Sequence, residues 1–361
     1  MNTEYPVEHI EPIPAGEPLP ARKVLRSWLL PLMQQDTARA MRLLVVDYII
    51  FFALIFAAIA APNGWLRLVA SLLSGYWIGR LFIIGHDACH QSYTPHRKLN
   101  RVLGRIAFLP SLSPYSLWEV GHNVIHHGFT NLKGMDFIWI PMSKAEYDGM
   151  SGTRKVMERF YRSGFGPWMY YMVEIWWKKM YFPNKEHKPG NREAFFWDGV
   201  LVSVFAVIWL IAIALIAPAF EVSLLSAVVT GFVIPFIFWN GMIGWAVYVH
   251  HNHARIQFYD NKKEWAAANP FVTTTVHLTF NKPWGAMMHH IMEHTAHHLD
   301  MTIPLYKLKE AQDRLEELLP GRIVVQKFSL GWYFKNAKHC RLYDYEHKQW
   351  IDYDGRPSKA Y

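Results

Sequence analysis

Residues 199–249 read GVLVSVFAVIWLIAIALIAPAFEVSLLSAVVTGFVIPFIFWNGMIGWAVYV, and Glu221 is the one charged side chain in that length. A helix needs roughly 20 apolar residues to cross a bilayer, so the stretch is long enough for two crossings, 199–220 and 222–249. Pro218 supplies the break between them. A helix on the surface of a soluble core keeps one polar face; neither half has one. Upstream, 43–61 is apolar apart from Asp47, and 68–85 carries Arg80 alone, with Pro62-Asn63-Gly64 as the turn between. The predicted fold is therefore an all-α membrane protein of two helical hairpins, with spans at 43–61, 68–85, 199–220 and 222–249 and a helical cap on the cytosolic side.

Composition agrees. Of 361 residues, 52% are hydrophobic and 18% charged, below the quarter typical of soluble domains. A formal charge of +8 with 16 Trp, 18 Tyr and 22 Phe suits a membrane protein facing anionic headgroups and argues against a nucleic-acid partner. Two cysteines exclude a disulfide framework and a thiolate metal cage. Lys and Arg crowd 86–194 and the chain after 249, while Arg67 alone lies in a turn between spans. The positive-inside bias then places both hairpin turns, 62–67 and 218–221, away from the cytosol. Arg80 is expected to snorkel toward headgroups. Residues 1–42 read as a cytosolic leader, proline-rich over 1–20 and without a signal-peptide pattern. Residues 43–320 form the membrane domain, and 321–361 a cytosolic extension of short strands or loops. An interfacial helix is expected over 165–182 and an amphipathic one over 304–319.

Fifteen of the 19 histidines lie in 86–127 and 250–298, where an even scatter would put about five. They share a spacing. His86 and His90 stand i, i+4 at the end of the second span; His122, His126 and His127 repeat the interval with an adjacent third; His294, His297 and His298 bring three rings to one helical side. A fourth group, His250-His251-Asn252-His253, follows the last span. Imidazole suits Fe, Zn, Cu and Ni, whereas Mg and Ca prefer oxygen. The eight clustered rings and one from the fourth group exceed what one ion takes, and fit two. So many nitrogens favour iron over redox-inert zinc. Supporting carboxylates are expected because ligating imidazoles donate their other N–H. Asp87, Glu119, Asp136, Glu293 and Asp300 flank the clusters, and His290 shares a face with His294. Of these, His290, Asp87 and Glu293 are the chosen candidates. His96, His187, His339 and His347 read as surface or core residues, and His250, His253, His277 and His289 as structural or supporting.

HDACH (86–90), HNVIHH (122–127) and HTAHH (294–298) resemble the three histidine boxes of integral-membrane fatty-acid desaturases. The resemblance spans about residues 40–320, and GHDACHQSY with the stretch Tyr248–His253 is similar to the Δ12/ω6-like branch. It implies nine ligands, His86, His90, His122, His126, His127, His251, His294, His297 and His298, holding two Fe2+. It implies O2 as co-substrate and a cis double bond introduced into a fatty-acyl chain carried on lipid, CoA or a carrier protein. Val247 stands where acyl-CoA desaturases place an asparagine. No His-Pro-Gly-Gly haem signature occurs, and His187-Lys188-Pro189-Gly190 is not one, so electrons are expected from a separate ferredoxin-, rubredoxin- or cytochrome-b5-type donor. The expected location is a bacterial inner membrane, endoplasmic reticulum being the alternative, with the boxes cytosolic. A membrane di-iron hydroxylase of a lipid, alkane or carotenoid is the alternative reading. A metal transporter needs ionisable groups at mid-bilayer, which 199–249 lacks, and a purely structural role leaves the histidine spacing unexplained.

Overall fold

The computed structural model describes residues 11–183, 192–281 and 284–359. Pro6 of the leader and the His187–Gly190 tetrapeptide lie outside them. Among the described residues, four helices are long and apolar enough to cross a membrane: Thr37–Ala60, Gly64–Cys89, Glu193–Phe220 and Leu224–His251. Three start on side-chain caps. Asp36 accepts the Arg39 amide, Asn63 the Leu66 amide and Ser223 the Ser226 amide, each satisfying a first-turn donor that has no partner within its helix. Glu221, at φ 56°, closes the third span, after which Ser223 opens the fourth. The helices run past the apolar limits read from sequence because hydropathy marks where lipid begins, whereas caps mark where the helix begins.

Two compact units interleave along the chain. One comprises 36–125 and 156–247; the other comprises the described residues up to Gln35, with 126–155 and 248–359. In the membrane unit, small residues allow close helix approach. A Cβ on Gly75 would sit 2.7 Å from the Pro235 carbonyl oxygen. Arg80, expected to snorkel, has an internal partner: its Nε lies 2.9 Å from Asp47 Oδ1 within the first hairpin. With Asp47 buried, an unpaired carboxylate would cost several kcal/mol, which favours the internal pair. Asp198, in the opening turns of the third span, accepts Arg105 Nε at 2.7 Å and the Ser116 amide at 2.8 Å. That fixes the short helix Tyr115–Glu119, which leads into the second box. The helix expected over 165–182 is present as Pro167–Tyr170 continued by π-helical Tyr171–Tyr181.

The other unit is mixed. Strand β1 (Val276–Thr279) pairs in parallel with β2 (Val324–Lys327), and β3 (Leu342–Asp344) antiparallel with β4 (Gln349–Ile351). The amphipathic segment is a 3-10 turn, Leu305–Lys307, followed by the helix Leu308–Leu318. Trp332-Tyr333-Phe334, read as strand or loop, lies in a helix, Leu330–His339, capped by Ser329. Burial of Trp332, Tyr333, Asn336 and Ala337 shows the helical interval that overrides aromatic strand preference. This C-terminal segment also braces the fourth histidine group: Asn336 donates to the Asn252 carbonyl at 2.8 Å, and Trp350 to that of His253 at 3.1 Å.

Candidate metal centre

In the membrane unit, His86 and His90 occupy the last turn of the second span, their Nε2 atoms 3.3 Å apart; His122 Nε2 is 2.7 Å from His86 Nε2. All three are buried. Trp118 lies flat against His122, centroids 4.7 Å apart and planes 18° off parallel. Asn123 ties the second box to the first by donating to the Cys89 carbonyl at 2.8 Å.

In the other unit, His126, His251 and His298 each offer a ring nitrogen within 4.8 Å of the others. His294 Nε2 lies 3.2 Å from His251 Nε2, and His297 Nε2 lies 3.1 Å from His127 Nε2. The second box is therefore divided. Val120–His126 is a π-helical turn, not the α-helix that the i, i+4 spacing suggests. His122 joins the first box, whereas His126 joins His251 and the third. The third box divides likewise, His297 meeting His127 while His294 meets His251.

The donor set fits a metal. His294 and His298 are held well below the ordinary histidine pKa, first by burial and then by neighbouring rings, so both are neutral and keep a lone pair for an ion. His294 Nδ1 and His298 Nε2 are buried without a protein hydrogen bond, an arrangement that costs free energy unless another partner is supplied. Asp136 reaches a ligand directly. Asp136 Oδ1 accepts His126 Nδ1–H at 2.9 Å, and its carboxylate also takes the Asn131 and Ile138 amides, each at 3.0 Å. A buried carboxylate on the far nitrogen fixes the tautomer and aims Nε2 outward. Thr130 plays a similar part, its Oγ1 3.3 Å from His298 Nδ1.

The chosen supporting candidates fare differently. His290 Nδ1 pairs with Glu293 Oε1 at 3.0 Å, so these two bond each other. Asp87 is buried beside His86 on the second span. Asp300 pairs with Arg26 at 2.5 Å. Glu119 is raised above the usual carboxylate range by burial and meets Tyr115 at 3.4 Å. His250 stacks on His294, centroids 3.7 Å apart. His253, lowered to about 4 by burial, accepts the Arg255 amide, a structural role. His277 bonds Glu316. His289 is buried in a left-handed conformation. His96 and His347 are exposed, and His339 meets the Lys359 carbonyl. Asp136 was one flanking acid among five in the sequence. Its distance of ten residues from His126 matches no helical interval that would have singled it out.

The fatty acid desaturase family matches residues 63–329 of this sequence. The chain belongs to that family. Its members are oxidoreductases acting on fatty-acyl chains, and with four apolar helices this desaturase is a multi-pass membrane protein. It is similar to the chloroplastic omega-6 fatty acid desaturase of Spinacia oleracea, 27% identical over 84% of this chain and 66% of that one. It is 30% identical to the sn-1 oleoyl-lipid 12-desaturase of Synechocystis sp., over 74% of this chain and 73% of that one. A fatty acid desaturase of Bacillus subtilis is 26% identical over 92% of this chain and 91% of its own length. The chain thus spans just under two thirds of the spinach protein and nearly all of the bacillar one. The first two names agree with the likeness of GHDACHQSY to the Δ12/ω6-like branch.

Proposed function

We propose that the chain is an O2-dependent di-iron desaturase that introduces a cis double bond into a fatty-acyl chain. Its metal ligands are His86, His90, His122, His126, His127, His251, His294, His297 and His298. The observation that carries the reading is the burial of these nine rings with their nitrogens facing one another in each unit. An unactivated methylene gives acids, bases and nucleophiles no purchase, so the chemistry belongs to a cofactor. When bound, two irons supply the oxygen activation needed to take hydrogen from carbon.

The protein's part is positioning and insulation. Asp136 holds the proton on His126 Nδ1, leaving Nε2 for a metal. Trp118 and His250 fix the ring planes of His122 and His294. The apolar faces of the spans bend and hold the acyl chain so that one carbon pair lies near the metals. We place the boxes on the cytosolic side of a bacterial inner membrane, with 1–42 as leader, 43–320 as membrane domain and 321–361 as extension. A separate ferredoxin-, rubredoxin- or cytochrome-b5-type protein supplies the electrons. The names of the relatives make a lipid-linked oleoyl chain the first substrate to test.

Expression in a host without desaturases, followed by mass-spectrometric mapping of double bonds, tests this. New cis double bonds that vanish in His126→Ala and His297→Ala, with the variants still membrane-inserted, are expected. Near-normal turnover in either variant refutes the ligand assignment. Hydroxy products in place of alkenes select the hydroxylase reading.

A further inference from the structure

His294–Leu299, which carries every ring of the third box, is a helix of six residues. Isolated helices shorter than about 12–15 residues are marginal in water, and the last carbonyls of any helix have no partner within it. Its residues are all buried, so bulk water does not serve those carbonyls. They are served from 276 residues away. Arg22, in the leader helix Arg22–Ser27, donates Nε–H to the Leu299 carbonyl at 3.1 Å and a terminal N–H to that of His298 at 2.9 Å. The next residue, Asp300, takes Arg26 Nε at 2.5 Å and the Thr302 amide and hydroxyl at 3.0 and 2.7 Å. One planar guanidinium thus bridges two consecutive carbonyls, which a lysine ammonium on its flexible stem does poorly. Its positive charge also suits a helix C-terminus.

The leader is itself anchored. The Ile13 amide donates to the Leu318 carbonyl at 2.8 Å, Arg322 donates to the carbonyls of Pro14 and Glu17, and Leu25 and Leu29 are fully buried. The Arg22 guanidinium lies 4.9 Å from the ring centre of Phe271. Behind it is a cavity of about 20 Å³ walled by Arg22, His127, Thr130, Trp265, Phe271 and His298, space for a single water. Arg22 thus lines that space as well as meeting the end of the helix.

We infer that Arg22, backed by Arg26, is a positioning residue for the third histidine box: the leader straps the His294–Leu299 helix at its C-terminal end and so sets how firmly the buried histidines retain their metal. This rests on the metal reading proposed above. The test uses full-length protein in nanodiscs, comparing wild type, Arg22→Gln, Arg22→Lys and the exposed control Lys23→Ala. The readouts are release of ferrous iron to a chelator, amide hydrogen exchange in the peptide covering 294–300, and melting of the metal-free protein.

Loss of hydrogen bonds from a charged donor predicts roughly tenfold faster iron release in Arg22→Gln. Arg22→Lys should restore part of the retention, and Lys23→Ala should match wild type. Faster exchange should be confined to 294–300, with little change in metal-free melting. Iron release at the wild-type rate in Arg22→Gln overturns the strap while leaving the metal centre intact. So does a drop in metal-free melting that accounts for the whole effect. A wild-type protein that takes up no iron overturns the metal reading and this inference with it.

Discussion

Asp136→Asn changes one atom of a buried carboxylate and so isolates what that charge does for His126. Both side chains are almost wholly buried, 0% and 1% exposed. Oδ1 accepts from His126 Nδ1 and the Ile138 amide, and Oδ2 from the Asn131 amide. An asparagine whose oxygen keeps the first two partners must turn its NH2 toward the Asn131 N–H, donor against donor. That leaves a buried amide unsatisfied, at a cost of about 1–3 kcal/mol. The bond to His126 also loses its charge assistance, roughly half its strength, and with it the push that makes the far nitrogen a better ligand. Loss of such partners lowers metal affinity roughly 10–100-fold, about 1.4–2.7 kcal/mol. Equilibrium competition between the variant and a chelator for ferrous iron measures this, with circular dichroism to confirm that the helices persist. Wild-type affinity in a folded Asp136→Asn protein refutes the assignment of Asp136 as the carboxylate that orients His126.

Gly75→Ala places a Cβ 2.7 Å from the Pro235 oxygen and 2.8 Å from Phe238 Cβ. The second and fourth spans must then part, lowering stability in detergent by about 1–3 kcal/mol. Gly241→Ala, whose Cβ meets Trp168 at 3.7 Å, should be close to neutral in the same denaturation assay. Asp198→Ala leaves Arg105 and the Ser116 amide without their acceptor. It should cost about 3 kcal/mol, the low end for a buried pair because Arg105 is 31% exposed. It should also loosen His122 through the Tyr115–Glu119 helix, seen as faster hydrogen exchange across 115–122.

The hairpins were legible because lipid imposes a coarse rule, about twenty apolar residues per crossing, and 199–249 obeys it almost without exception. The histidine groups were legible because ligand spacing is local. What spacing could not show is how a group is shared out. His122 meets the first box while His126 meets His251 and His298, partners that tertiary packing sets and the interval between them does not. Pairings distant in sequence were equally hidden. Asp47 and Arg80 lie 33 residues apart, and in the sequence each is a lone charge in its own apolar stretch. The leader and the C-terminal extension looked chemically blank. Yet Arg22 serves the third box and Asn336 the fourth group, contacts that only tertiary packing creates.

Elemental analysis of the purified, membrane-inserted protein, produced with ample iron, tests the central claim most directly. About two irons per chain are expected, falling sharply when His126 and His297 are replaced by alanine. Stoichiometric zinc without iron, or iron retained in full by that double variant, contradicts it.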